Sequence, residues 1–177
     1  TIPSTVKTIG NYAFTKTGIT GLTLNEGLES IGKAAFSQAT NLTGTLTIPS
    51  AVKTIGSSAF YRTGITGLTL NEGLESIGDS AFQAAPNLTG SIIIPSTVKT
   101  IGVDAFAATG ITGLTLNEGL ESIGDSAFYN ATNLTGTLTI PSTVKSIGNN
   151  AFQSTGITTI NYPGSEAEWN QISKGSS

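Results

Sequence analysis

Apolar and polar positions alternate in short runs along this chain, and the runs recur. In Thr45-Leu46-Thr47-Ile48 apolar residues alternate with threonine, the pattern of a half-buried strand. Pro49 ends this stretch, and Asn71-Glu72-Gly73 ends its counterpart one repeat later; both are turn formers. Val52-Lys53-Thr54-Ile55 is a second β-rich stretch. Gly56 follows and is expected to take a backbone angle that other residues avoid. Ser57-Ser58-Ala59-Phe60 is too short for a stable helix, so it predicts one helical or 3₁₀ turn with Phe60 facing inward.

The Ile-Gly-x-x-Ala-Phe frame occurs seven times, at Phe14, Phe36, Phe60, Phe82, Phe106, Phe128 and Phe152, which are all the phenylalanines of the chain. Their spacings alternate between 22 and 24. A fixed period of this size marks a solenoid whose single units cannot bury their apolar faces alone. An "Ile-Pro-Ser" coil alternates with a "Leu-Asn-Glu-Gly" coil, so the duplicated unit is 46 residues, from Ile2-Pro3 to Ile48-Pro49, Ile94-Pro95 and Ile140-Pro141. The two surplus residues of the long coils fall around Asn41-Leu42-Thr43-Gly44 and its copies, where a loop turn or bulge absorbs them. Parallel pairing of each strand with its copy at ~4.8 Å gives a rod of roughly 30–35 Å.

Residues 1–163 read as the array, which starts in the middle of a repeat. Residues 164–177 break the frame. Ser165 and Glu168 make a capping box for a short helix. Tyr162, Trp169 and Ile172 sit where an apolar lid covers the end of the core, which solenoids require. Trp169, the only tryptophan, is assigned to this cap rather than to ligand stacking. Ser173 to Ser177 are expected to fray.

Composition narrows the function. The chain carries a net charge of −3, with eight Lys and Arg spread along it, not the basic stripe of a nucleic-acid binder. No apolar run reaches the ~18 residues of a membrane span. Cysteine and histidine are absent, which removes disulfides, thiolate metal sites, a Cys nucleophile and a His base. No cofactor or metal site is expected.

The iterated Ile-Pro-x-x-Val-x-x-Ile-Gly-x-x-Ala-Phe pattern resembles the BspA-like class of leucine-rich repeats. The terminal Tyr162-Pro163-Gly164-Ser165-Glu166-Ala167-Glu168-Trp169 resembles the segment that closes such arrays. The resemblance implies a right-handed leucine-rich-repeat superhelix of short parallel strands and turns. It also implies a secreted or surface-anchored protein, usually bacterial, with adhesion as the commonest proposed role. The family often places Cys three residues after the Phe; here Ala39, Ala85 and Ala131, or Thr17, Thr63, Thr109 and Thr155, stand there. No catalytic residues transfer with the resemblance.

Four surfaces are candidates. Lys7, Glu29, Lys53, Glu75, Lys99, Glu121 and Lys145 share one position in successive coils; this ladder serves register and solubility, since cross-strand opposite charges add ~0.2–1 kcal/mol per pair. Glu26, Glu72 and Glu118 stand three residues before Glu29, Glu75 and Glu121. Such carboxylate pairs suit glycoside hydrolysis or calcium, but three identical copies point to architecture. Thr23, Thr47, Thr69, Thr115 and Thr139 form an exposed, hydroxyl-rich column on the first strand, which the resemblance places on a concave face. It suits a ligand, or far less an ice-binding array, or only strand propensity. The fourth surface is the variable edge beside each Ala-Phe, where Tyr12, Tyr61, Arg62 and Tyr129 are of types enriched in contacts. Asn41, Asn87, Asn130 and Asn133 are glycosylation sequons, of consequence only in a eukaryotic secretory host.

The sequence is therefore read as a non-enzymatic surface scaffold that binds a protein or glycan. The alternative is a spacer with no ligand of its own, favoured by the near-identity of the 46-residue units. The apolar first coil also leads to an expectation of end-to-end self-association.

Overall fold

The structure is a computed structural model, described here for residues 1–176. It is a parallel β-solenoid of seven coils, each centred on one Ala-Phe. Its continuous element is a sheet of eight two-residue strands: Thr8–Ile9, Ser30–Ile31, Thr54–Ile55, Ser76–Ile77, Thr100–Ile101, Ser122–Ile123, Ser146–Ile147 and Ser173–Lys174. Each isoleucine pairs in register with the next, as Ile31 does with Ile55. A strand this short is stable only because its neighbours repeat it and the inward isoleucines form one apolar column.

The threonine strands pair two by two instead of running the whole length. Thr45–Ile48 pairs with Gly67–Leu70, Thr89–Ile94 with Gly110–Leu116, and Thr135–Thr139 with Gly156–Asn161. Proline removes one of the bonds that would join neighbouring pairs. Ile2 and Ile140 donate their N–H groups to Thr23 and Asn161 of the following coil. The next amide of an extended chain points back toward the preceding coil, and at Pro49, Pro95 and Pro141 it carries no hydrogen. Within a pair the approach is close. A Cβ on Gly67 would lie 2.8 Å from Thr45 Oγ1, and one on Gly113 2.4 Å from Ser91 Oγ.

The segment after the Ile-Gly strand is a chain of hydrogen-bonded turns, not the expected helical or 3₁₀ turn. Ala59 N donates to Gly56 O and Tyr61 N to Ser58 O, two residues apart, whereas a 3₁₀ helix needs consecutive bonds. Two non-glycine residues per coil lie at positive φ, such as Ser58 (58°) and Arg62 (53°). Positive φ at the third residue alone is the type II turn pattern. It frees alternate amides for the neighbouring coil: Ser58 N bonds Asp79 O, and Phe60 N bonds Ala81 O. The surplus residues of the long coils form the turns Ala39 to Leu42, Ala85 to Leu88 and Ala131 to Leu134. These turns bring Leu42, Leu88 and Leu134 into the core.

Gly56 does not take positive φ. Its missing side chain makes room for the coil below, and the left-handed positions fall on the residues after it. The seven phenylalanines stack in one column with ring centroids 5.1–5.4 Å apart and planes within 14° of parallel. The five inner rings are fully buried, and Phe14 and Phe152 cover the column ends.

The C-terminal helix Glu166–Gln171 has the predicted capping box, with Ser165 and Glu168 bonded reciprocally. The tail beyond it is ordered through Ser176, contrary to the fraying expected there. Ser173–Lys174 is the eighth rung of the long sheet, and Gly175 N donates to Ile147 O. Ser177 lies outside the described residues. Lys174 takes the isoleucine place in the ladder and turns its amine onto the carbonyls of Trp169 and Ile172. Its aliphatic stem and charged tip suit a position between core and water.

Candidate functional site

Thr23, Thr47, Thr69, Thr115 and Thr139 all project outward and are exposed. Thr47 stands beside Thr69, but Thr115 stands beside Ile93, which is 59% exposed, and Thr139 beside Asn161. Ile93 and Asn161 thus interrupt the hydroxyl column.

Two of the three carboxylates at the Glu26 position are occupied, those of Glu72 and Glu118. Glu72 accepts hydrogen bonds from Ser96 N, Ser96 Oγ and Thr97 N of the next coil. Glu118 makes the same three bonds to Ser142 and Thr143. The Ser96 and Ser142 amides, ahead of a smaller opposing desolvation, hold these carboxyls below the usual range. Thr97 and Thr143 complete the clamp: each hydroxyl accepts from Gly73 or Gly119 N and donates to Leu74 or Leu120 O. At Glu26 the partner coil has Ala51 in place of this threonine. These carboxylates hold coils together and are not poised as an acid–base pair. Among the described residues no cluster of three or more metal-ligating side chains occurs.

The Lys/Glu ladder forms ion pairs at Lys7–Glu29 (3.3 Å), Lys53–Glu75 (3.7 Å) and Lys145–Glu121, all solvent-exposed. Lys99 donates instead to Gly119 O. Exposed pairs of this kind are worth little individually.

Tyr12 and Tyr129 are 56% and 41% exposed, and Arg62 stacks over the Tyr61 ring at 5.1 Å. Tyr61 and Tyr129 hold the same place in the third and sixth coils, three rungs or roughly 14 Å apart. Tyr12 lies in the first coil, at a different place on the same edge. The structure brings Tyr61 and Arg62 together and spreads the others along the edge.

Sequence reasoning missed part of this edge. The residue after each Ile-Gly varies, but at four coils its side chain stitches to the next. Asn11, Asp79, Asp125 and Asn149 accept from the amides of Lys33, Val103, Asn149 and Ser176. The recurrence of Asn or Asp there was the available signal, since these side chains bond readily to nearby backbone. The eighth rung also had a signal: Ser173-Lys174-Gly175 repeats Ser146-Ile147-Gly148 with one change.

Trp169 packs partly buried on the core end, 5.3 Å from Tyr162, with Lys174 over its ring at 4.7 Å. It serves the cap. An open cleft of about 370 Å³ lies beside it, lined by Ile160, Tyr162 and Glu166 among others.

The sequence profile of the BspA type leucine-rich repeat region matches residues 1–89 and 53–174, in six copies. The chain belongs to this family. A search of curated proteins returned no match. Among solved structures, this BspA-type array is similar to a leucine-rich cell surface protein of Faecalibacterium prausnitzii, with TM-score 0.73 and 26% identity over 98% of this chain and 55% of that one. It is also similar in fold to leucine-rich-repeat proteins of Bacteroides ovatus and T. pallidum. The first gives TM-score 0.64 and 22% identity over 99% of this chain and 50% of that one; the second gives 0.66 and 18% over 98% and 71%. The array spans about half the length of the first two of these proteins. No helix among the described residues is long and apolar enough to cross a membrane.

Proposed function

We propose that this BspA-type array is an adhesive scaffold at a bacterial cell surface, and that its turn edge holds a protein or glycan target. The surface location is supported by the description of the F. prausnitzii relative as a cell surface protein. One observation carries the choice of edge. Tyr61 and Tyr129 occupy the place that is Thr15, Ser37, Gln83, Ala107 or Gln153 in the other coils, on backbone bonded coil to coil through Arg62 N to Gln83 O and Asn130 N to Gln153 O. Large aromatic side chains on a rigid base lose little entropy on binding, and aromatic and Arg residues dominate contact energies.

The test is binding of the chain to extracellular-matrix proteins and a glycan array, beside a Tyr61→Ser, Arg62→Ser, Tyr129→Ser variant. Saturable binding that the variant loses supports this reading, and binding that it keeps moves the site to the threonine strands. The second reading is a spacer without a ligand, favoured by near-identical 46-residue units. Absence of binding to every target would put the spacer ahead.

A further inference from the structure

Each coil carries at most one charged residue on its turn edge, the eight residues that begin with the glycine of Ile-Gly. From the first coil to the seventh these are Lys16, Lys33, Arg62, Asp79, Asp104, Asp125 and none. Three successive positive coils are followed by three successive negative ones. The ladder on the long sheet follows the opposite rule: its charges alternate in sign, and all but Lys99 pair within the chain. Among the described residues none of the six edge charges takes part in an ion pair. Lys16, Lys33, Arg62, Asp79 and Asp125 are exposed, and Asp104 is half-buried.

Segregation of this kind is unfavourable in the isolated chain. Burial, and then the nearby Asp79 carboxylate, push the Asp104 carboxyl above its ordinary value. The centres of the two patches lie three rungs apart, roughly 14 Å, beyond the ~8 Å over which charges act at physiological ionic strength. The two halves therefore do not neutralise each other within one molecule.

We propose that the turn edge pairs with the turn edge of a second copy of this chain about a two-fold axis. The basic coils one to three of each copy then face the acidic coils four to six of the other. A surface with opposite charges at its two ends is self-complementary under two-fold rotation, as an isologous contact requires. The same rotation brings Tyr12 and Tyr61, in the basic half, toward Val103 and Tyr129, in the acidic half. Val103 is 42% exposed. The contact is weak and salt-sensitive, because exposed charges carry its specificity. This inference rests on the turn edge being the recognition surface, as the proposed function does, and adds a second copy of the chain as a competing occupant of that edge.

Sedimentation of the chain alone tests it, with no target present. The association constant should fall at least about tenfold between about 20 mM and about 500 mM salt, as screening grows. A Lys16→Glu, Lys33→Glu, Arg62→Glu variant should be monomeric. Among the described residues none of these three side chains is in an ion pair, and Arg62 only stacks over the Tyr61 ring, so this variant should keep the fold, which circular dichroism checks. An Asp79→Lys, Asp104→Lys, Asp125→Lys variant, checked for folding by circular dichroism, should also be monomeric. Equimolar mixing of the two variants should restore a complex. A wild-type chain that stays monomeric at high concentration and low salt overturns the proposal. So does a dimer that either reversal leaves intact. Neither result would decide binding of an external target, which a Tyr61→Ser, Tyr129→Ser variant with Arg62 intact measures separately.

Discussion

The Cβ that Gly56 lacks would stand 2.5 Å from the carbonyl carbon of Gly32 in the coil below. The same conflict, at 2.4–2.8 Å, recurs at Gly32, Gly78, Gly102, Gly124 and Gly148. The coils therefore touch backbone to backbone along this line, and the long sheet closes to hydrogen-bond distance only because the side chains are absent.

Gly56→Ala should accordingly cost about 1–3 kcal/mol, the range for overpacking. Gly10→Ala, where a Cβ meets nothing within 4 Å, should change stability by less than about 0.5 kcal/mol. Urea denaturation of the two variants compares them directly. Equal costs would mean that the glycine column is not a packing requirement.

Phe82 is fully buried and stacks between Phe60 at 5.4 Å and Phe106 at 5.2 Å. Phe82→Ala should cost ~3–5 kcal/mol. Phe14→Ala removes an end ring with one stacked neighbour, Phe36, and should cost distinctly less. A loss below ~1 kcal/mol at Phe82 would contradict its burial.

Ala51 interrupts the clamp that Thr97 and Thr143 complete in the later units. Ala51→Thr restores the hydroxyl that in the later units reaches Leu74 O or Leu120 O, here toward Leu28 O; Gly27 N is already bonded to Asn25 Oδ1, and Gly27 lacks the positive φ of Gly73 and Gly119. The gain should be about 0.5–1.5 kcal/mol, the worth of an added hydrogen bond. Thermal unfolding reads it, and an unchanged or destabilised variant would show that the added hydroxyl finds no partner in the first unit.

Acid should weaken the fold in a defined window. The carboxyls of Glu72, Glu118, Glu121 and Glu168 are held low, chiefly by hydrogen bonds to Ser96, Ser142, Lys145 and Ser165 respectively. Groups with a depressed folded pKa add stability that is present above their unfolded value of 4.5 and lost as pH falls through the folded value. Asp104, raised by burial and Asp79, acts in the opposite sense and favours the fold as it protonates. With four groups against one, the melting temperature should drop mainly below pH 4.5. A Glu72→Gln, Glu118→Gln variant should show a flatter profile there; an unchanged slope would mean that the clamp carboxylates do not carry the effect.

The sequence alone determined the coil count, the inward phenylalanine and isoleucine columns and the capping box at Ser165. Each follows from periodicity or from a local motif, and chemistry along the chain is enough to read it. The candidate residues were legible as types: Tyr61 and Tyr129 stand out because none of their equivalents is aromatic. Their arrangement was not legible, nor was the use of Glu72 and Asp79 as stitches, because those bonds join residues 24 or 25 positions apart. Only the tertiary structure decided that Gly56 is required by contact rather than by its backbone angle. It also decided that the threonine strands pair two by two, and that Ser173–Lys174 closes the long sheet. These depend on the distance between neighbouring backbones and on which way each amide points. Both are properties of stacked coils that no single coil possesses.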